Sequence, residues 1–64
     1  MHFDRDHIGK QFADITALLE DMHSLAVEGQ GHHLTVGEVL SLRDSLLRSS
    51  GRLSALLKAI SPDV

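Results

Sequence analysis

The sequence predicts an all-α protein, a two-helix antiparallel hairpin expected to dimerise into a four-helix bundle. Three observations predict it. Apolar residues recur in alternating steps of three and four over two long stretches, the spacing of one face of a helix. Between them, Gly29-Gln30-Gly31-His32-His33-Leu34-Thr35-Val36-Gly37-Glu38 reads as a stop, a turn and a new start. The chain has 64 residues and no cysteine, and ordering costs roughly 1.5 kcal/mol per residue, so disulfides cannot help and a partner is expected. The chain is read as a single domain, with helix 1 over about 4–28, a turn over 29–34, helix 2 over about 35–60 and a short tail over 61–64.

Helix 1 begins at Asp4 as N-cap, with Phe3 and Ile8 spaced as a hydrophobic staple; Asp6 is the competing cap and also suits the first turn electrostatically. Its seam is Ile8, Phe12, Ile15, Leu19, Met22 and Ala26, with Leu18 and Leu25 beside it widening the stripe. Lys10, Asp14, Ala17, Glu20, Asp21, Ser24 and Glu28 occupy the opposite face, and Asp6 precedes Lys10 by one turn.

The turn carries the strongest local signal. Thr35 and Glu38 have the spacing of a capping box, and Leu34 and Val39 that of a staple. Gly29 and Gly31 are expected to supply the positive φ values that end a helix and reverse the chain. Helix 2 then runs to Ile60, ahead of Ser61-Pro62, where proline biases its predecessor out of the helix. Its seam is Val39, Leu42, Leu46, Ser49, Leu53, Leu56 and Ile60. Val36 and Leu57 flank this seam, and Leu40 and Leu47 lie further round the same side, a width that predicts contact with more than one neighbouring helix.

Ser49-Ser50-Gly51 interrupts helix 2 with three small residues. The favoured reading is that they admit another backbone or a bulky side chain such as Phe12 or Met22; a kink and a helix break are the alternatives. The seam continues in phase through them, so one helix is expected.

The apolar fraction of 42% is that of a folded chain rather than a disordered one. The net charge of −3 is divided unevenly. Residues 4–28 hold six acids against Arg5 and Lys10, whereas residues 35–60 hold Arg43, Arg48, Arg52 and Lys58 against Glu38 and Asp44. Solvated faces account for most such patterns, and the sharper reading is that opposite charge guides how helices of different subunits pair. No segment approaches the 18 consecutive apolar residues of a membrane span. The first residues, Met1 to Asp6, have no apolar core of a secretory signal, so a cytoplasmic, soluble protein is expected.

No catalytic, cofactor-binding or metal-ligating set emerges. His2, His7, His23, His32 and His33 include no pair one helical turn apart; Glu20-x-x-His23 has the spacing of di-metal bundles, but neither residue belongs to the seam. Folding about residue 32 would bring His23 near Ser41, a lone Ser–His pair. No nucleophile motif or phosphate-binding glycine loop occurs, so the expectation is a protein that is not an enzyme and needs no cofactor. The residues expected to form the core and dimer interface are Ile8, Phe12, Ile15, Leu19, Met22, Val39, Leu42, Leu46, Leu53, Leu56 and Ile60. Arg43 falls within the apolar arc of helix 2. It is expected to extend along its stem to water or to pair with an acid of another helix, such as Asp4, Asp14 or Glu20, and so fix register.

In length and expected architecture the chain resembles the Rop family of plasmid-copy-control proteins, which bind paired RNA loops through exposed residues of their first helices. That resemblance of plan implies an alternative role as a small dimeric RNA- or DNA-binding regulator using Arg48 and Arg52. The acidic first helix disfavours nucleic acid, because a phosphate-facing surface must be basic. The leading expectation is therefore a non-enzymatic interaction protein, a regulator or adaptor, whose partner is itself and possibly another helical protein.

Overall fold

A computed structural model describes residues 5–60. Two α-helices, α1 over Arg5–Glu28 and α2 over Val36–Ala59, each of 24 residues, pack against each other. They run antiparallel: Gln11 of α1 reaches the carbonyl of Ala59, while Gly29 lies beside Leu42 at the turn end. The hairpin is a rod, 54 × 15 × 11 Å in Cα extents, with a radius of gyration of 15.6 Å. A compact chain of this length would have a radius of gyration of about 11 Å.

The expected cap at Asp4 and its staple partner Phe3 lie outside the described residues. Asp6 is in the first turn of α1, where the helix dipole favours an acid. Glu28 ends the helix. The turn departs from expectation, because among the described residues no glycine has a positive φ. The right-handed path instead tightens: Gly29 N–H donates to Leu25 O at 3.0 Å, then Gln30 to Val27 O at 3.0 Å and Gly31 to Glu28 O at 3.2 Å. After the i→i−4 bond of Gly29, the two i→i−3 bonds satisfy the next carbonyls without a left-handed residue.

α2 begins as its sequence requires. Glu38 N–H donates to Thr35 Oγ1 and Thr35 N–H donates to Glu38 Oε1, both at 3.1 Å, closing the capping box. These two bonds hold the Glu38 carboxyl below the usual carboxylate range. Leu34 is half-buried and folds toward Gly31. The helix continues unbroken through Ser49-Ser50-Gly51, and no atom outside its own backbone lies within 4 Å of where a Gly51 Cβ would sit. Within the hairpin, therefore, no backbone approaches Gly51. Ile60 closes the helix in an extended conformation, its N–H donating to Leu57 O at 3.2 Å.

The contact line is turned relative to the expected seam. On α1 the residues withdrawn from solvent are Ile8, Gln11, Ile15, Leu18, Met22 and Leu25, and on α2 Leu42, Ser45, Leu46, Ser49, Leu53, Leu56 and Ile60. Ile15 and Leu18, at 7% and 6% exposure, are the buried core among the described residues. Gln11, Leu18 and Leu25 thus take the places expected for Phe12, Leu19 and Ala26, and Val39 is also exposed. Both choices have the same three-four spacing, so periodicity cannot separate them. Turning this way puts two leucines in the hairpin where the other choice would put Leu19 and Ala26.

Three predictions test this account. Thr35→Ala should lower stability by about 1 kcal/mol, the usual worth of an N-cap. The advantage of wild type over Glu38→Gln should be complete above pH 4.5 and vanish as pH falls through the depressed Glu38 value, read from thermal midpoints across a pH series. Gly29→Ala should raise stability by about 0.4–1 kcal/mol in urea melts, since φ is ordinary and the new methyl meets its nearest atom at 3.4 Å. A glycine held at positive φ would give a loss instead.

Candidate functional site

Rotation of the contact line leaves a second stripe on each helix, one residue past the first. On α1 it is Phe12, Thr16, Leu19, His23 and Ala26; on α2 it is Val36, Leu40, Arg43, Leu47, Ser50, Ser54 and Leu57. Both keep alternating steps of four and three, and every residue in them is exposed. Phe12 is 53% exposed, Leu47 61% and Val36 76%. Isolated exposed apolar residues are ordinary, but two complete stripes are not.

The two stripes lie on one side of the hairpin. In an antiparallel pair, the residue following each contact position rotates toward the same side on both helices. The grooves along the rod agree. One side carries a depression at the turn end lined by Ala26 and Arg43 beside Leu25, Val39, Leu42 and Leu46. The other side carries a groove shared by Asp14, Asp21 and Arg52, and one shared by Glu28, Glu38 and Ser41. Charge follows the same division. The outer stripes contain one residue of fixed charge, Arg43, whereas the positions rotated to the other side include Lys10, Asp14, Asp21, Glu28, Glu38, Arg48 and Arg52. One side of the hairpin is thus richer in apolar residues and the other in charge, with Glu20 and Lys58 lining grooves beside the outer stripes.

Of the residues read from the sequence as core or interface, Ile8, Ile15, Met22, Leu42, Leu46, Leu53, Leu56 and Ile60 lie on the hairpin contact. Phe12 and Leu19 lie on the exposed apolar face, and Val39 borders it. Arg43 pairs with no acid of α1. Its Nη2 stands 3.5 Å from Oδ1 of the adjacent Asp44, with both side chains largely in solvent, so the stem crosses the apolar face and the guanidinium stays wet. Such a pair adds little stability. Arg48 donates to Ser45 Oγ at 3.4 Å, and Arg52 shares its groove with Asp14 and Asp21.

His23 and Ser41 line grooves on opposite sides of the hairpin, so the Ser–His contact suggested by folding about residue 32 is not formed. Among the described residues no three His, Asp or Glu side chains gather into a group able to hold a metal ion, and no helix is long and apolar enough to cross a membrane.

Sequence reasoning missed Gln11. It sits half-buried on the contact line, its Nε2 donating to Ala59 O at 3.3 Å, so a side chain of α1 caps the end of α2. Its Oε1 is buried without a partner. A polar residue with one satisfied and one orphaned atom costs stability but marks a single register, since slippage would lose the bond it does make. The signal was available as a glutamine at a seam-adjacent position, but only the rotation of α1 turns it inward. Gln11→Leu is expected to raise stability by about 1 kcal/mol, checked by the urea midpoint, because the orphan is removed and the Ala59 carbonyl is left to water. A lower midpoint would show that the Gln11–Ala59 bond outweighs the orphan.

Set against models of protein families, curated proteins and solved structures, the chain matches none of them.

Proposed function

We propose that this protein is a non-enzymatic interaction protein whose working form is a self-associated four-helix bundle, serving as a small cytoplasmic regulator or adaptor. The observation that carries the reading is the set of exposed apolar side chains on one side of the hairpin, Phe12, Leu19, Val36, Leu40, Leu47 and Leu57. The chain exposes 5248 Å², whereas a compact monomer of 7.0 kDa would expose about 4,000 Å². The excess of about 1,200 Å² is that of a rod with no second layer, and a stable complex commonly buries roughly 800 Å² on each partner. Stacking two hairpins by these faces would cover the stripes, enlarge a core that among the described residues contains Ile15 and Leu18, and leave the more charged sides outward for another protein.

Sedimentation equilibrium over a hundredfold dilution, with helicity followed on the same samples, tests the reading. A dimer of about twice the chain mass, losing helix only as it dissociates, is the expected result. A helical monomer at all concentrations would overturn it. A paired substitution locates the contact. Leu47→Glu should raise the dissociation constant at least about tenfold, since a buried carboxylate has no partner there. Ala17→Glu, at an exposed residue on the side where Asp14, Asp21 and Arg52 share a groove, should leave it unchanged.

A further inference from the structure

We propose that Met22 makes this hairpin sensitive to oxidation: conversion of its thioether to a sulfoxide loosens the packing of α1 on α2, and reduction restores it. The proposal concerns the contact inside the hairpin and does not rest on what covers the outer stripes.

Two observations meet at this residue. The first is access. Met22 lies on the α1 contact line but is half-buried, whereas Ile15 and Leu18 on the same line are buried. It is therefore part of the seam while some of it stays open to water. The second is what stands opposite. Gln11 bonds to Ala59, Leu18 shares a groove with Arg52 and Leu56, and Gly29 lies beside Leu42. These pairs fix one alignment, in which Met22 stands level with Ser49, itself half-buried on the α2 contact line. On either side, Leu18 is level with Leu53 and Leu25 with Leu46, so each of those layers takes a leucine from both helices. In the Met22 layer the α2 contact line contributes only the hydroxymethyl group of Ser49. Met22 then supplies most of the apolar contact there, the kind of gap that an unbranched, flexible thioether fills.

The chemistry needs a peroxide and no group of the protein beyond the thioether. The Met22 sulfur gives a lone pair to one oxygen of hydrogen peroxide, and an S–O bond forms as the O–O bond breaks. The other oxygen takes up the proton of the first and leaves as water, so sulfur is oxidised and peroxide reduced. The product carries a polar oxygen where the seam had a polarisable apolar atom. Withdrawing that oxygen from water without a hydrogen bond is unfavourable, and so is exposing the layer to hydrate it. Few contacts are present to absorb the loss, since among the described residues the buried core is Ile15 and Leu18. Methionine sulfoxide reductases reverse the step, the oxygen leaving as water while a dithiol becomes a disulfide. The dithiol is external, because the chain has no cysteine.

The test treats the folded protein with hydrogen peroxide, locates the added oxygen by peptide mass spectrometry and reads thermal midpoints by circular dichroism. The chain has two methionines, and Met1 lies outside the described residues. Wild type oxidised at Met22 should melt at least about 4 °C lower than the untreated protein. Methionine sulfoxide reductases with dithiothreitol should return the midpoint to its starting value. Met22→Leu, which keeps the volume and retains Met1, should show no shift after the same treatment. Three results would overturn the proposal. Met22 might stay unoxidised while Met1 takes up oxygen, which would place the thioether out of reach. A Met22 sulfoxide with an unchanged midpoint would mean that the seam accommodates the oxygen beside Ser49. An equal fall in Met22→Leu would move the effect to Met1.

Discussion

Two helices share a single line of contact, and the rest of this molecule follows from that limit. Each helix has a stripe too wide to be covered by one neighbour, so covering one arc leaves the adjacent arc in water. The hairpin covers Ile8, Gln11, Ile15, Leu18, Met22 and Leu25 on α1 and leaves Phe12 and Leu19 outside. Even on the covered line, two residues are buried among those described. A single layer of helices has no interior beyond its seam, and the large hydrophobic contribution of a globular core needs a second layer.

The antiparallel direction converts that limit into a surface. Because chain reversal sends corresponding positions of both helices to the same side, the two uncovered arcs merge into one face instead of pointing in opposite directions. The charges fall on the other side by the same geometry. Asp14, Asp21 and Arg52 share a groove there. The result is a hairpin with one side richer in exposed apolar residues and the other in charge.

Register depends on few groups. The capping box at Thr35 and Glu38 sets where α2 starts, and the tightening bonds from Gly29, Gln30 and Gly31 set how α1 ends. At the far end Gln11 reaches across to Ala59. Apolar seams slide easily, since one leucine replaces another one turn away at little cost, so polar contacts at both ends are what distinguish the native alignment. The orphaned Oε1 of Gln11 is the energetic cost of that discrimination.

Much was legible in the chain alone, for physical reasons. Helix extents follow from three-four spacing and local end signals, and the Thr35–Glu38 box is local because its partners lie three residues apart. The helix through Ser49-Ser50-Gly51 was likewise readable from the unbroken phase of its seam. The turn geometry was not, because glycine permits a positive φ without requiring it, and the bonds closing this turn need none. Nor was the rotation of α1, since Leu18 and Leu19, or Leu25 and Ala26, satisfy the same spacing. Sequence by itself determined that each helix has an apolar arc wider than a single contact. Only packing one arc against the other helix decided which half was spent inside and which became the surface.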